Sequence, residues 1–183
     1  MKMVASHALL AGVMAVFALQ AQAQSLAPEL HSWLPGATLS GQATMRFWGF
    51  DIYRASLWVT PGFHGTNYHD SGFALSLTYQ RSLLGSEIAK RSLAEMRRQG
   101  PMTPQEATDW EARMLALFPD VHAGDNLTGL HVPQRGAEFW SGGRKLGEVR
   151  DVAFSRRFFG IWLSPQTSEP ALRLALLSGV AAP

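Results

Sequence analysis

ATLSGQATMRFWGFDIYRASLWVT, residues 37–60, decides the architecture. Leu39, Gly41, Ala43, Met45 and Phe47 alternate with Ser40, Gln42, Thr44 and Arg46. That period of two is the pattern of a strand with one buried face. Trp48-Gly49 supplies a turn, and from Phe50 to Val59 both alternating faces are largely apolar. The second strand is therefore expected to be covered on both sides. Two such strands joined by a short turn predict a β-hairpin.

Downstream, PGFHGTNYHDSG (61–72) reads as loop and FALSLTYQR (73–81) as another alternating strand. The spacing then becomes helical. GSEIAKRSLAEMRRQG (85–100) carries basic residues in its last turn and a glycine stop. TPQEATDWEARMLALFP (103–119) opens with Thr103, Pro104 and Glu106, the elements of a capping box with proline at the first helical position. GDN (124–126) is a turn, and LTGLHV, AEFW and KLGEV read as short strands joined by PQRG and SGGR. Asp151 is placed to cap a helix over VAFSRRFFGIWL, and Ser168-Glu169-Pro170 opens a last helix, ALRLALL. Strands, helices, strands and helices in that order predict an α+β fold, an antiparallel sheet with helices packed mainly on one side.

Upstream, residues 1–23 have the form of a secretory signal peptide: Lys2, an apolar run from Ala8 to Leu19, then Ala21-Gln22-Ala23. The run is shorter than the roughly 20 residues of a membrane span. The domain expectation is a leader over 1–23, a lead-in over 24–36 broken by two prolines, and one domain over 37–183. The expected location is exported, periplasmic or secreted, with no stable membrane anchor once the leader is cleaved. There is no cysteine in the chain, which excludes disulfides, thiolate nucleophiles and thiolate metal sites. A formal net charge of +2 gives no electrostatic case for a nucleic-acid partner.

Motifs that carry chemistry are sparse. His64, His69 and Asp70 fall within one loop, but their spacing is not that of a metal helix, and the loop reads as solvated with no metal. No G-x-S-x-G elbow is present. SGGRKLG lacks the Lys-Ser/Thr end of a phosphate loop and fits a hairpin turn. No cofactor is expected. The aromatic residues of the first strands and of 158–162 are more informative. Strands facing helices across such residues leave an apolar cleft with few polar groups, the make-up of a small-molecule site.

YRASLWV (53–59), the GD turn (124–125) before a strand and FFGIWLSP (158–165), together with the order and spacing of the segments between them, resemble the exported bacterial branch of the chalcone-isomerase-like family. The resemblance covers about Ala37 to Leu177. It implies an open-faced sandwich, a large antiparallel sheet with a layer of helices. In plant members a cleft between sheet and helices closes a chalcone to a flavanone by intramolecular Michael addition. Other members bind fatty acids or act as non-catalytic helpers.

Carried over by position, the plant arginine falls near Leu39 and the threonine near Asp51. The tyrosine falls near Ile88, with Tyr79 too far upstream, and the asparagine near Glu95. The last serine or threonine matches Ser155. Asp51 and Ser155 are thus the remaining catalytic candidates. A cleft without the arginine, tyrosine and asparagine lacks most of the groups that would stabilise developing charge. The resemblance therefore implies binding of an apolar or amphipathic, fatty-acid-like small molecule. An isomerase (intramolecular lyase) on another substrate is the alternative, and a non-catalytic structural or accessory protein the second. Tyr53, Arg54, Tyr79, Arg81 and Ser155 are the candidate ligand contacts. Arg156 and Arg157 are also near the aromatics, but the helical wheel sets them on a wet face.

Overall fold

The computed structural model describes residues 28–180; the leader read over 1–23 lies outside them. Six strands form one antiparallel sheet in sequence order. They are β1 (Thr38–Phe47), β2 (Phe50–Val59), β3 (Phe73–Tyr79), β4 (Asn126–Val132), β5 (Gly136–Ser141) and β6 (Arg144–Val149). Helices α1 (Gly85–Arg98) and α2 (Pro104–Leu117) leave the sheet between β3 and β4. Helices α3 (Val152–Leu163) and α4 (Pro170–Leu176) follow β6. The α+β expectation and the one-sided helical layer are both met.

The hairpin turns on Trp48 and Gly49 between the paired residues Phe47 and Phe50. Both turn residues have positive φ, 51° and 80°, the mirror-image geometry that matches strand twist. The inward alternation of β1 is interrupted. A register shift between Leu39 and Gly41 turns Ser40 inward and leaves Leu39 exposed, as an inserted bulge residue does. Ser40 Oγ donates to the Leu176 carbonyl at 2.8 Å, and Gly179 N–H donates to the Ser40 carbonyl at 2.8 Å. A Cβ on Gly41 would lie 2.1 Å from the Ala175 carbonyl. The end of α4 thus rests directly on the backbone of the first strand.

β2 is covered on both faces only over its second half. Ala55, Ser56, Leu57 and Val59 are buried, whereas Phe50 and Asp51 are exposed. The helix-side face carries the main core, with Leu57, Phe73, Leu75, Phe139, Phe154 and Phe159 packed together. The opposite face is polar at its centre: Ser76 Oγ lies 2.8 Å from Thr128 Oγ1, which donates to Asn126 Oδ1 at 2.8 Å. At one end this face is apolar. There the lead-in folds back, and Leu30 and Leu34 bury against Ala74, Leu130, Trp58 and Trp140. Residues 28–36 are therefore packed onto the domain they precede.

The caps lie where the sequence puts them. Thr103 and Glu106 form the reciprocal capping box of α2. Asp151 Oδ1 accepts from the Phe154 N–H at 3.0 Å. Its Oδ2 accepts from the Trp110 indole at 2.9 Å, so one carboxylate both starts α3 and ties it to α2. The last helix opens at Pro170, with Glu169 in the cap position but its side chain making no capping bond.

Candidate functional site

Between the hairpin end of the sheet and helices α1, α3 and α4 lies a cavity of about 440 Å³. That is within the range of small-molecule pockets, about 300–1,000 Å³. Its sheet wall is Met45, Tyr53, Leu77, Tyr79 and Leu127. Its helical walls are Ile88, Ser92 and Glu95 of α1, Phe158, Ile161 and Trp162 of α3, and Leu172 of α4. Phe47, Glu87, Arg91 and Glu169 stand at its rim.

The strand period builds the sheet wall. Tyr53 pairs with Tyr79 across β2 and β3, so both side chains leave the same face. Their rings meet edge to face at 6.0 Å. The Trp162 indole N–H donates to the Tyr53 oxygen at 3.0 Å. Burial pushes the Tyr53 phenol up to about 12, with the Trp162 bond opposing the shift and Glu169 adding to it. Burial likewise raises Tyr79, with the neighbouring Tyr53 next in size. Both phenols hold their protons at neutral pH and serve as hydrogen-bond donors, not as bases.

Helix α1 supplies the charges. Glu95 is buried and accepts an ion pair from Arg91 Nη2 at 2.7 Å, with Arg98 Nε at 3.5 Å on its other oxygen. Arg91 is exposed toward the rim and Glu87 is paired with Lys90 at 2.9 Å. The cavity therefore has apolar walls, two neutral phenols, the Glu95 carboxylate held in its ion pair, and rim charges of both signs, Arg91 against Glu87 and Glu169. This arrangement suits a long apolar body with one polar end.

The sequence candidates separate. Tyr53 and Tyr79 come together in the cavity wall. Arg54, next along β2, points to the other face and is exposed, because neighbouring strand residues alternate. Arg81 lies outside the cavity, with its guanidinium over the Phe50 ring at 5.2 Å. Asp51 is exposed and pairs with Arg46 at 2.6 Å. None of these three lines the cavity.

Ser155 does not face the cavity either. It is fully buried one turn before Phe158, where α3 crosses β4 and β5. Its Oγ lies 2.7 Å from His131 Nδ1 and 3.0 Å from the Gly136 carbonyl. His131 Nε2 lies 2.9 Å from the His69 carbonyl, and its ring stacks on Phe73 at 5.0 Å. A carbonyl only accepts, so Nε2 carries the ring proton, and the single Ser155 hydroxyl proton is shared between two acceptors, Nδ1 and the Gly136 carbonyl. The pair is a buried packing contact.

Arg157 also departs from expectation. Arg156 is on the wet face, but the Arg157 guanidinium donates to the Gly100 carbonyl at 3.0 Å and the Pro101 carbonyl at 2.5 Å. In return Gln99 Nε2 donates to the Arg157 carbonyl at 2.7 Å. Arg157 thus closes the C-terminal end of α1, where free carbonyls favour a cation. The residue that sequence reasoning missed is Arg91. Its signal was present: it lies three after Ile88 and four before Glu95, on the stripe of α1 that faces the cavity.

Residues 22–178 match the model of the family described as chalcone isomerase-like, and the chain belongs to that family. A protein of Haemophilus influenzae (strain ATCC 51907 / DSM 11121 / KW20 / Rd), described as an uncharacterized protein, is 28% identical over 153 residues. The match covers 84% of this chain and 71% of that one. Among solved structures, an Arabidopsis thaliana fatty-acid binding protein superposes with a TM-score of 0.61. It shares 9% identity, over 79% of this chain and 88% of its own, so the likeness is one of fold.

Proposed function

We propose that this member of the chalcone isomerase-like family binds an apolar or amphipathic small molecule, fatty-acid-like in shape, between its sheet and its helices. The observation that carries the reading is the composition of the cavity. Leu77, Leu127, Phe158, Ile161 and Leu172 offer a tail an apolar wall, while Tyr53, Tyr79 and Arg91 offer a head group donors. Arg91 is shared with Glu95, so a carboxylate head group would bind beside an existing ion pair, using the donors that pair leaves free. The fold likeness to a fatty-acid binding protein adds support.

An exported location, periplasmic or secreted, is part of the same proposal. The signal pattern over 1–23 supports it.

The test is direct. Protein produced in a bacterial host with its own leader is extracted with organic solvent, and the extract is analysed by mass spectrometry. The reading expects a co-purifying amphiphile, saturable uptake of a fluorescent fatty acid and a higher melting temperature with added fatty acid. Empty extracts together with an unchanged melting temperature would overturn it. Intact mass, read on the same sample, shows whether residues 1–23 are removed.

A further inference from the structure

The tip of the first hairpin is built against its own local preference. Trp48 occupies a left-handed position at φ 51°, followed by Gly49 at 80°. Asparagine is the favoured residue at that turn position, and a bulky side chain there carries strain. Trp48 also gains no burial in exchange, being 86% exposed. Its neighbours Phe47 and Phe50 are 51% and 62% exposed. Three large aromatics thus project toward solvent from a two-residue turn. Strain without a packing gain is where function is to be sought.

The surroundings indicate what the tip meets. Arg46 and Arg81 flank the aromatics, with Arg81 over the Phe50 ring at 5.2 Å and Arg46 paired with Asp51. Tryptophan and arginine side by side are the residue types that sit at the boundary between acyl chains and head groups. Phe47 is shared between the exposed tip and the rim of the cavity. A surface that holds the tip therefore also lies against the cavity opening.

We propose that the Phe47–Phe50 hairpin tip docks reversibly on a lipid bilayer bearing anionic head groups, with Trp48 and Phe50 entering the interface. Docking presents the cavity mouth to the bilayer, so that an amphipathic ligand passes between the two without crossing water. This last step rests on the ligand reading above; the docking itself does not.

The test uses the chain produced with its own leader and vesicles of phosphatidylethanolamine and phosphatidylglycerol with brominated acyl chains. Residues 1–23 contain no tryptophan, so quenching reports on the domain. Wild type is expected to lose emission as vesicles are added. Trp48→Asn, which supplies the preferred turn residue, is expected to leave the other tryptophans unquenched. Phe50→Ser is expected to raise the vesicle concentration for half-quenching about tenfold. Neither residue lines the cavity, so uptake of a fluorescent fatty acid without vesicles should be unchanged in both variants.

Three results would overturn the proposal: no quenching of wild type, quenching of Trp48→Asn equal to wild type, or an unshifted Phe50→Ser. A tip-dependent dimer in sedimentation, with no quenching, would assign the tip to a second copy and overturn it too. Quenching through Trp48 in a chain that takes up no fatty acid would leave docking standing and overturn the ligand reading alone.

Discussion

The indole N–H of Trp162 donates to the phenol oxygen of Tyr53 at 3.0 Å. One bond thereby links α3 to β2 across the cavity wall and leaves the phenol proton for whatever enters. Tyr53→Phe should strand the indole donor. Stability is expected to fall by about 1–2 kcal/mol, read as a lower urea midpoint. Fatty-acid affinity should fall about three- to tenfold through the lost donor. An unchanged affinity would place the head group elsewhere.

Filling the cavity should separate binding from folding. Ile161 is half-buried on the cavity side of α3. Ile161→Trp adds bulk into existing space, which strains a core less than overpacking a filled one. Uptake of a fluorescent fatty acid is expected to fall tenfold or more on the scale of about 1.4 kcal/mol per tenfold, with a cooperative melt retained. Full uptake in a folded variant would move the ligand out of this cavity.

Ser155→Ala should show the reverse pattern. The substitution removes the hydroxyl shared by His131 and Gly136. A buried ring nitrogen left without a partner costs about 1–3 kcal/mol. The melt should move down accordingly while ligand affinity stays at the wild-type value. A loss of affinity with unchanged stability would return Ser155 to the site.

His131 should make stability depend on pH. Burial is the main cause that holds its ring below the usual histidine range, and the His69 carbonyl only partly offsets it. A lowered folded value means the unfolded chain binds the proton first. The contribution is therefore complete above about pH 6.5, the unperturbed histidine value. It is lost as pH falls from there toward the folded value. The slope for one proton cannot exceed about 1.4 kcal/mol per pH unit. Urea midpoints at pH 7.5, 6.5 and 5.5 should fall in wild type and fall less in His131→Gln. Parallel curves would assign the acid sensitivity to another group.

Most of the architecture was legible because it follows from local rules. The alternation of residues 43–47 and 73–79 set the strand faces, and Thr103-Pro104 and Asp151 marked helix starts that the structure retains. What was not legible depends on non-local packing. The shift at Ser40 is fixed by α4, more than a hundred residues downstream. Arg157 has a helix-face position that suits solvent, yet it reaches the end of α1.

The site divided along the same line. Tyr53 and Tyr79 were recoverable, since two tyrosines of adjacent strands need only the right register to meet. Ser155 carried the right residue type and the wrong place along α3: the cavity opens one to two turns later, at Phe158, Ile161 and Trp162. Arg91 is one among the many charges of α1, and a rim residue looks like any other exposed cation until the opposite wall is known.

The contact between α4 and β1 has a consequence for how the chain is made. β1 is the outer strand of the sheet, and its bulged end is held by the backbone around Leu176 and Gly179. Synthesis runs from first residue to last, so the edge strand emerges before the segment that covers it. Throughout that interval an unpaired strand is open to pairing with another chain. The far border, β6, carries Arg144, Lys145 and Glu148 and needs no such guard. A chain cut before residue 170 would lose the segment whose backbone covers the Ser40–Gly41 end of that edge.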